Sequence, residues 1–145
     1  MEHVLAVEDL KVAFSGDKGR SVSVDGVSFQ VDPGEVVCLV GESGCGKSVT
    51  SLAVMGLLGR GGQASGTVRF LGQELLGLSE KELDKVRGNH LTMIFQDPLS
   101  ALNPVFPIGK QLMESMEAHM SLEPKEREAR AKALLEKSGA GRNPF

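Results

Sequence analysis

The eight residues Gly41-Glu42-Ser43-Gly44-Cys45-Gly46-Lys47-Ser48 restrict what this chain can fold into more than any other stretch. They fit the pattern G-x-x-x-x-G-K-[ST] without mismatch. The run before them, Glu35-Val36-Val37-Cys38-Leu39-Val40, is short and apolar and predicts a buried strand. The run after them, Val49 to Leu58, is apolar and long enough for a helix. A strand, a glycine loop and a helix in that order make a phosphate cradle rather than a chance turn. Gly41, Gly44 and Gly46 have no Cβ, so the chain can take positive φ and bring its amides close to a phosphate. Successive N–H groups then form an anion-binding nest at the positive end of the helix. Lys47 adds a mobile positive charge for the β- and γ-phosphates. The Ser48 hydroxyl is placed to ligate Mg²⁺.

With 145 residues, 41% hydrophobic and 24% charged, the chain is long enough for one domain with its own core. A formal net charge of −3, with basic residues scattered rather than blocked, argues against a broad nucleic-acid footprint. Leu52-Ala53-Val54-Met55-Gly56-Leu57-Leu58 is the kind of apolar run that reads as a buried helix; it falls well short of the roughly 18 residues a membrane span needs. Met1-Glu2-His3 does not read as the start of a signal peptide. Cys38 and Cys45 read as free thiols of a cytosolic protein, and two cysteines alone do not build a tetrahedral zinc site.

Along the chain, Val4 to Phe14 predicts a strand with a break near Glu8-Asp9, and Ser15-Gly16-Asp17-Lys18-Gly19 a turn. Val22 to Val31 alternates with period two, interrupted at Asp25-Gly26, as a half-buried strand with a bulge does. Asp32-Pro33-Gly34 suits a type II turn. Gly59-Arg60-Gly61-Gly62 is expected to stop the first helix. Thr67 to Leu71 predicts a short strand and Gly72-Gln73 a turn. Ser79-Glu80-Lys81-Glu82 is a capping box that opens a short helix through Val86, ended by Gly88-Asn89. Leu91 to Phe95 predicts a further strand. The prolines of Gln96-Asp97-Pro98-Leu99-Ser100-Ala101-Leu102-Asn103-Pro104 favour an ordered loop. Ile108 to Met120 has helical spacing, with Ile108, Leu112, Met113, Met116 and Met120 as a packed face. Pro124 opens a last helix, Lys125 to Lys137, with Ala129, Ala133 and Leu134 on one side, and Ser138-Gly139-Ala140-Gly141 ends it.

The phosphate loop, Met93-Ile94-Phe95-Gln96-Asp97-Pro98 behind an expected strand, and the Asn103-Pro104 that follows resemble the ATP-binding subunit of an ABC transporter. The run Ile94 to Pro104, and Val40-Gly41-Glu42-Ser43-Gly44 ahead of Gly46-Lys47-Ser48, are similar to the dipeptide/oligopeptide (peptide/nickel) importer branch. The likeness runs from about Val4 to about Gly139. It implies an α/β fold, the N-terminal part of an ABC-type P-loop nucleotide-binding domain. An antiparallel β subdomain and part of a parallel core sheet would occupy about residues 1–107, and the start of a helical subdomain 108–145.

The resemblance implies ATP and Mg²⁺ as cofactors. Phe14 lies where the family places an aromatic that stacks on adenine, although a strand-end core residue is the plainer alternative. Nucleotide contacts fall on Phe14, Gly41, Glu42, Ser43, Gly44, Cys45, Gly46, Lys47, Ser48 and Val49, and metal contacts on Ser48 and Gln96. Gln96 matches the Q-loop glutamine, whose neutral, bifunctional carboxamide can touch Mg²⁺ or the attacking water and let go. In the family that loop also contacts the membrane subunit. The implied partners are transmembrane permease subunits, a second ATP-binding subunit and, indirectly, an extracytoplasmic solute-binding protein, with no nucleic acid. The implied location is the cytoplasmic face of the inner membrane, and the implied activity is transport-coupled ATP hydrolysis driving solute import, of di- or oligopeptides.

Two departures qualify the match. Many members carry threonine directly after the loop serine; here Val49 stands there and Thr50 comes one later, which predicts a slightly weaker phosphate contact. No L-S-G-G-Q-like signature occurs, no run of four apolar residues ends in Asp-Glu, and His3, His90 and His119 have no switch-histidine context. Those elements lie further along in the family, so the expectation is the N-terminal part of a longer subunit. It would bind Mg-ATP weakly without turning it over, and its strands would present unpaired edges. A non-catalytic nucleotide-binding remnant, and a non-transport ABC ATPase acting on DNA or ribosomes, are the alternatives.

Overall fold

The structure, a computed structural model, describes residues 3–17, 19–97 and 101–139. Lys18 of the expected turn, Pro98, Leu99 and Ser100 of the Gln96 segment, and Ala140 and Gly141 of the last expected helix end lie outside the described residues. The chain divides into two compact units, residues 1–84 and 85–145.

The first unit is built on an antiparallel sheet. β1 (Leu5–Gly16) pairs with β2 (Gly19–Val31) on one side and β3 (Gly62–Phe70) on the other, and β4 (Gln73–Glu74) adds to β3, giving the order β2-β1-β3-β4. The break expected near Glu8-Asp9 is a bulge. Asp9 adopts φ 47°, the register against both neighbours shifts there, and the Asp9 amide donates to Ser28 Oγ at 2.9 Å. The extra residue resets the phase of alternation. Val7 is buried before it, and Leu10 and Val12 after it, where an unbroken strand would have turned Leu10 to the opposite face. Gly66 lies across from this bulge with φ +106°; a Cβ there would meet the Asp9 carbonyl oxygen and lie 2.7 Å from that of Glu8. β3 thus starts at Gly62 rather than at the expected Thr67, with Gly66 letting it run beside the bulge.

The turn at Asp32-Pro33-Gly34 forms as expected, with Gly34 at φ +77° and the Glu35 amide donating to the Asp32 carbonyl. The helix after the phosphate loop, α1 (Lys47–Val54), is shorter than predicted. Gly56 takes φ +64° and the Leu57 amide donates to the Leu52 carbonyl, the left-handed stop of a Schellman type. Gly56 thus ends the helix before the glycines at 59–62 are reached. Leu10, Val7, Val12 and Val68 are the bulkiest fully buried side chains, and Ala53, Val54 and Met55 at the end of α1 are buried too.

α2 (Glu80–Val86) begins after half of the expected capping box. Glu82 reaches back to the Ser79 amide at 2.8 Å, but the Ser79 hydroxyl donates to the same carboxylate, and the Glu82 amide is taken by the Ser79 carbonyl.

The expected strands at 35–40 and 91–95 do not form. Val36 is 87% exposed, Val40 92% and Ile94 98%, and among the described residues the strand-like pairing of these segments is an isolated parallel bridge from Arg87 to Leu91. A parallel core strand is apolar on both faces because it lies between other strands. Among the described residues no strand pairs with these segments, so no ladder of backbone hydrogen bonds fixes them.

The second unit contains a helical hairpin, α3 (Ile108–His119) and α4 (Pro124–Lys137). Met116 is the buried methionine of α3, with Met113 half-buried and Met120 exposed. The buried side of α4 is Ala131 and Leu135; Ala129, Ala133 and Leu134, expected on one side, are exposed. Pro124 sits in the first turn, and Glu123 and Glu126 form a reciprocal capping box that the sequence reading did not single out. Arg127, only 16% exposed, pairs with Glu117 at 2.8 Å and joins the two helices.

Candidate functional site

The phosphate loop leaves the exposed segment 35–40 and turns through 42–45, with the Cys45 amide 3.4 Å from the Glu42 carbonyl oxygen. Gly44 and Gly46 take φ +83° and +97°. Gly46 is needed twice over. Its backbone is left-handed, and a Cβ on it would lie 2.6 Å from the Ser23 carbonyl oxygen and 3.1 Å from Val24 Cγ2. The loop is therefore seated directly on β2. At Gly41 a Cβ would meet Cys45 Sγ at 2.6 Å, so this thiol packs over the start of the loop. Cys38 and Cys45 are both free and exposed.

The loop hands over to α1 without a side-chain cap. The first backbone bond of the helix is from the Thr50 amide to the Gly46 carbonyl at 2.8 Å. Among the described residues no acceptor faces the amides of Gly46, Lys47, Ser48 and Val49. These are the orphan donors of a helix N-terminus, at its positive end. The Lys47 ammonium folds across the loop and donates to the carbonyls of Gly41 and Glu42, both at 2.7 Å, with Cys45 Sγ at 3.4 Å. Four amides, an ammonium and glycine-only backbone form a donor set that fits a polyphosphate.

The structure also accounts for the shifted threonine. Thr50 is buried, 4% exposed, and its hydroxyl donates to the Gly46 carbonyl at 3.0 Å. It braces the loop from beneath and is not presented to a ligand. Val49 contributes its amide only. The Ser48 hydroxyl, by contrast, is exposed at the loop rim. A single hydroxyl suits Mg²⁺, which keeps several waters and takes its other oxygens from phosphates.

Phe14 is half-buried at the far end of the same hairpin. It pairs with Ser21 on one side and Gly62 on the other, and a Cβ on Gly62 would lie 2.9 Å from its ring. A cleft of about 450 Å³ opens there, lined by Phe14, Ser15, Gly16, Asp17, Gly19, Arg20 and Ser21. The phosphate loop touches β2 at Ser23 and Val24, while Phe14 faces Ser21. The loop contacts on β2 are thus two and three residues from the residue that Phe14 pairs with, about 7–10 Å at the rise of a β-strand.

Gln96 lies in the second unit, exposed in a bend. The unit also holds an arrangement about Gln111 that sequence reasoning did not reach. Ser23, Val24 and Arg20 were missed for the same reason: nothing local marks a strand residue as the floor or wall of a distant loop. Among the described residues no helix is long and apolar enough to cross a membrane, and no cluster of three or more His, Cys, Asp or Glu could hold a metal.

Comparison with known proteins places these features in context. The model of the ABC transporter family matches residues 24–143. The chain is 47% identical over 119 residues to the oligopeptide transport ATP-binding protein OppD of Mycobacterium tuberculosis, covering 82% of this chain and 19% of that protein. It is 42% identical over 144 residues to the oligopeptide transport ATP-binding protein AppD of Bacillus subtilis, covering 98% and 44%. It is 44% identical over 119 residues to Escherichia coli OppD, covering 82% and 35%. The chain thus spans less than half the length of each of these relatives.

Proposed function

The chain belongs to the ABC transporter family, and from that premise we propose that it is part of an ATP-binding subunit that powers import of di- or oligopeptides through a membrane permease. The relatives named above are oligopeptide transport ATP-binding proteins, which favours peptides as the cargo. The observation that carries the nucleotide half of the reading is the spacing on β2. A polyphosphate cradle rests on Ser23 and Val24 of β2, and Phe14 on the neighbouring β1 pairs with Ser21, two to three residues or about 7–10 Å further along β2. That separation suits a base and the phosphates of one nucleotide.

Each residue then has a physical task. Phe14 offers a π-face to the adenine without reading its edge. The amides of Gly46 to Val49 bind phosphate oxygens at the helix N-terminus. Lys47 exchanges the Gly41 and Glu42 carbonyls for the β- and γ-phosphates, a better partner for an ammonium than a neutral carbonyl. Ser48 and Gln96 would hold Mg²⁺, which when bound screens phosphate charge. Gln96 would also report nucleotide state to the permease through its loop. The subunit would work on the cytoplasmic face of the membrane, paired with a second ATP-binding subunit and supplied through a solute-binding protein.

The sequence contains no four apolar residues followed by Asp-Glu to position and deprotonate a water. A polypeptide of these 145 residues alone is accordingly expected to bind Mg-ATP without multiple turnovers. The test of the reading is nucleotide titration of the complete subunit and its Lys47→Met variant. Wild type should bind ATP and the variant should lose that binding while keeping its fold by circular dichroism. Equal affinity in both would remove the basis of the reading.

A further inference from the structure

Asn103 stands seven positions after Gln96 and five before the start of α3. Its main chain is held from outside by one side chain. Gln111 Oε1 accepts from the Asn103 amide at 2.9 Å, and Gln111 Nε2 donates to the Asn103 carbonyl at 2.9 Å and to the Phe106 carbonyl at 2.8 Å. Both donors of the carboxamide and one of its acceptor sites are used, so only a group with an acceptor and a two-proton donor in one plane can make this pattern. The Asn103 side chain adds a bond from the Val105 amide at 3.0 Å, and the Phe106 amide returns to the Asn103 carbonyl at 3.3 Å. The Lys110 ammonium sits 4.4 Å from the centre of the Phe106 ring. Pro104 and Pro107 fix φ at two further points.

A loop needs far less than this to turn a corner. Val105 is 80% exposed and Phe106 43%, so no apolar burial holds the loop in place and the polar bracket must do so. Gln111 lies in the first turn of α3, with its own amide on the Pro107 carbonyl at 3.2 Å. The bracket therefore joins residues 103–106 to the helix as one body.

We propose that Gln111 is a positioning residue, which clamps the Asn103–Phe106 turn to α3 so that a shift of that turn is delivered to the helix rather than absorbed by slack chain. The inference rests on the transport reading of the preceding section, because its consequence is coupling between nucleotide state and the membrane partner. Gln111 touches neither nucleotide nor metal in this role. It acts through the loop it holds.

The experiment uses the complete subunit, alone and assembled with its permease in proteoliposomes. Gln111→Met preserves length and helix propensity and removes all three bonds. Gln111→Glu keeps the acceptor but turns a second acceptor towards two carbonyls. Expected are ATP affinity and basal hydrolysis of the isolated subunit near wild type for both variants. Transport and transport-stimulated hydrolysis should fall about tenfold, a normal size for a coupling free energy. Hydrogen exchange at the Asn103 and Val105 amides should rise while the interior amides of α3 and α4 stay protected. Normal transport by both variants with the loop amides released would overturn the proposal. So would a parallel loss of basal ATP affinity, which marks a merely structural role. If the wild-type subunit shows no permease-stimulated turnover, the transport reading fails instead, and unchanged loop exchange in Gln111→Met would still refute the clamp.

Discussion

Replacing each of two glycines of the phosphate loop by alanine separates backbone strain from packing. Gly44 and Gly46 both have positive φ, +83° and +97°. A Cβ at Gly44 meets nothing within 4 Å, whereas one at Gly46 would press on the Ser23 carbonyl oxygen at 2.6 Å and on Val24 Cγ2 at 3.1 Å. Gly44→Ala should therefore carry only the left-handed penalty, about 1–2 kcal/mol. Gly46→Ala should carry the same strain plus crowding of about 1–3 kcal/mol, roughly 2–5 kcal/mol together. Because the obstacle is backbone, relief requires the start of α1 to lift off β2 and take the amides of Gly46 to Val49 with it. Expressed as nucleotide affinity, this is roughly 5- to 30-fold for Gly44→Ala and from about 30-fold to several thousand-fold for Gly46→Ala, at 1.4 kcal/mol per decade. The assay is equilibrium titration of the complete subunit with a fluorescent ATP analogue, with urea unfolding in parallel. Equal losses in the two variants would refute the claim that β2 is the floor of the loop.

Other outcomes follow from particular contacts. Phe14→Ala should weaken ATP binding by about 1–3 kcal/mol, the range for a base on an aromatic ring, while inorganic tripolyphosphate binds as before; calorimetry with both ligands checks it. Gly66→Ala should lower stability to urea by roughly 2–5 kcal/mol, since its Cβ would strike the backbone of the Asp9 bulge, whereas Gly34→Ala, with φ +77° and open space, should lose only the strain of about 1–2 kcal/mol. The Glu128 carboxyl is held below its ordinary value by the hydrogen bond from Lys132 and by that ammonium's charge. A carboxyl depressed in the folded state stabilises above its unfolded pKa, and the gain is lost as pH falls through the depressed one. An acid titration followed by carboxyl NMR should show Glu128 protonating below the ordinary glutamate range, and Lys132→Met should bring it back up.

The sequence was most legible where one residue type has one physical use. The loop pattern, the break near Asp9, the Asp32-Pro33-Gly34 turn and Pro124 at a helix start all rest on local backbone preferences, and they appear in the fold. Reading failed where two local signals competed. Gly56 and the glycines at 59–62 both stop helices, and the first met by the growing helix prevailed. It failed again on α4, where Leu134 and Leu135 are adjacent and only the neighbouring helix selects which is buried.

What the sequence alone determined is a set of short-range commitments: a glycine loop with its lysine and serine, two strands joined by a turn with a break near Asp9, and the start of the last helix at Pro124. Each depends on groups within a few residues of one another. Tertiary structure decided what those pieces meet. It seated Gly46 on Ser23 and Val24, turned the Thr50 hydroxyl inward to the Gly46 carbonyl, and closed Gln111 over Asn103. It also left the apolar segments 35–40 and 91–95 without ladders. Hydrophobicity in a sequence states that a segment is suited to burial between strands. Whether it becomes a strand depends on another backbone lying within hydrogen-bonding distance, which its own residues do not encode.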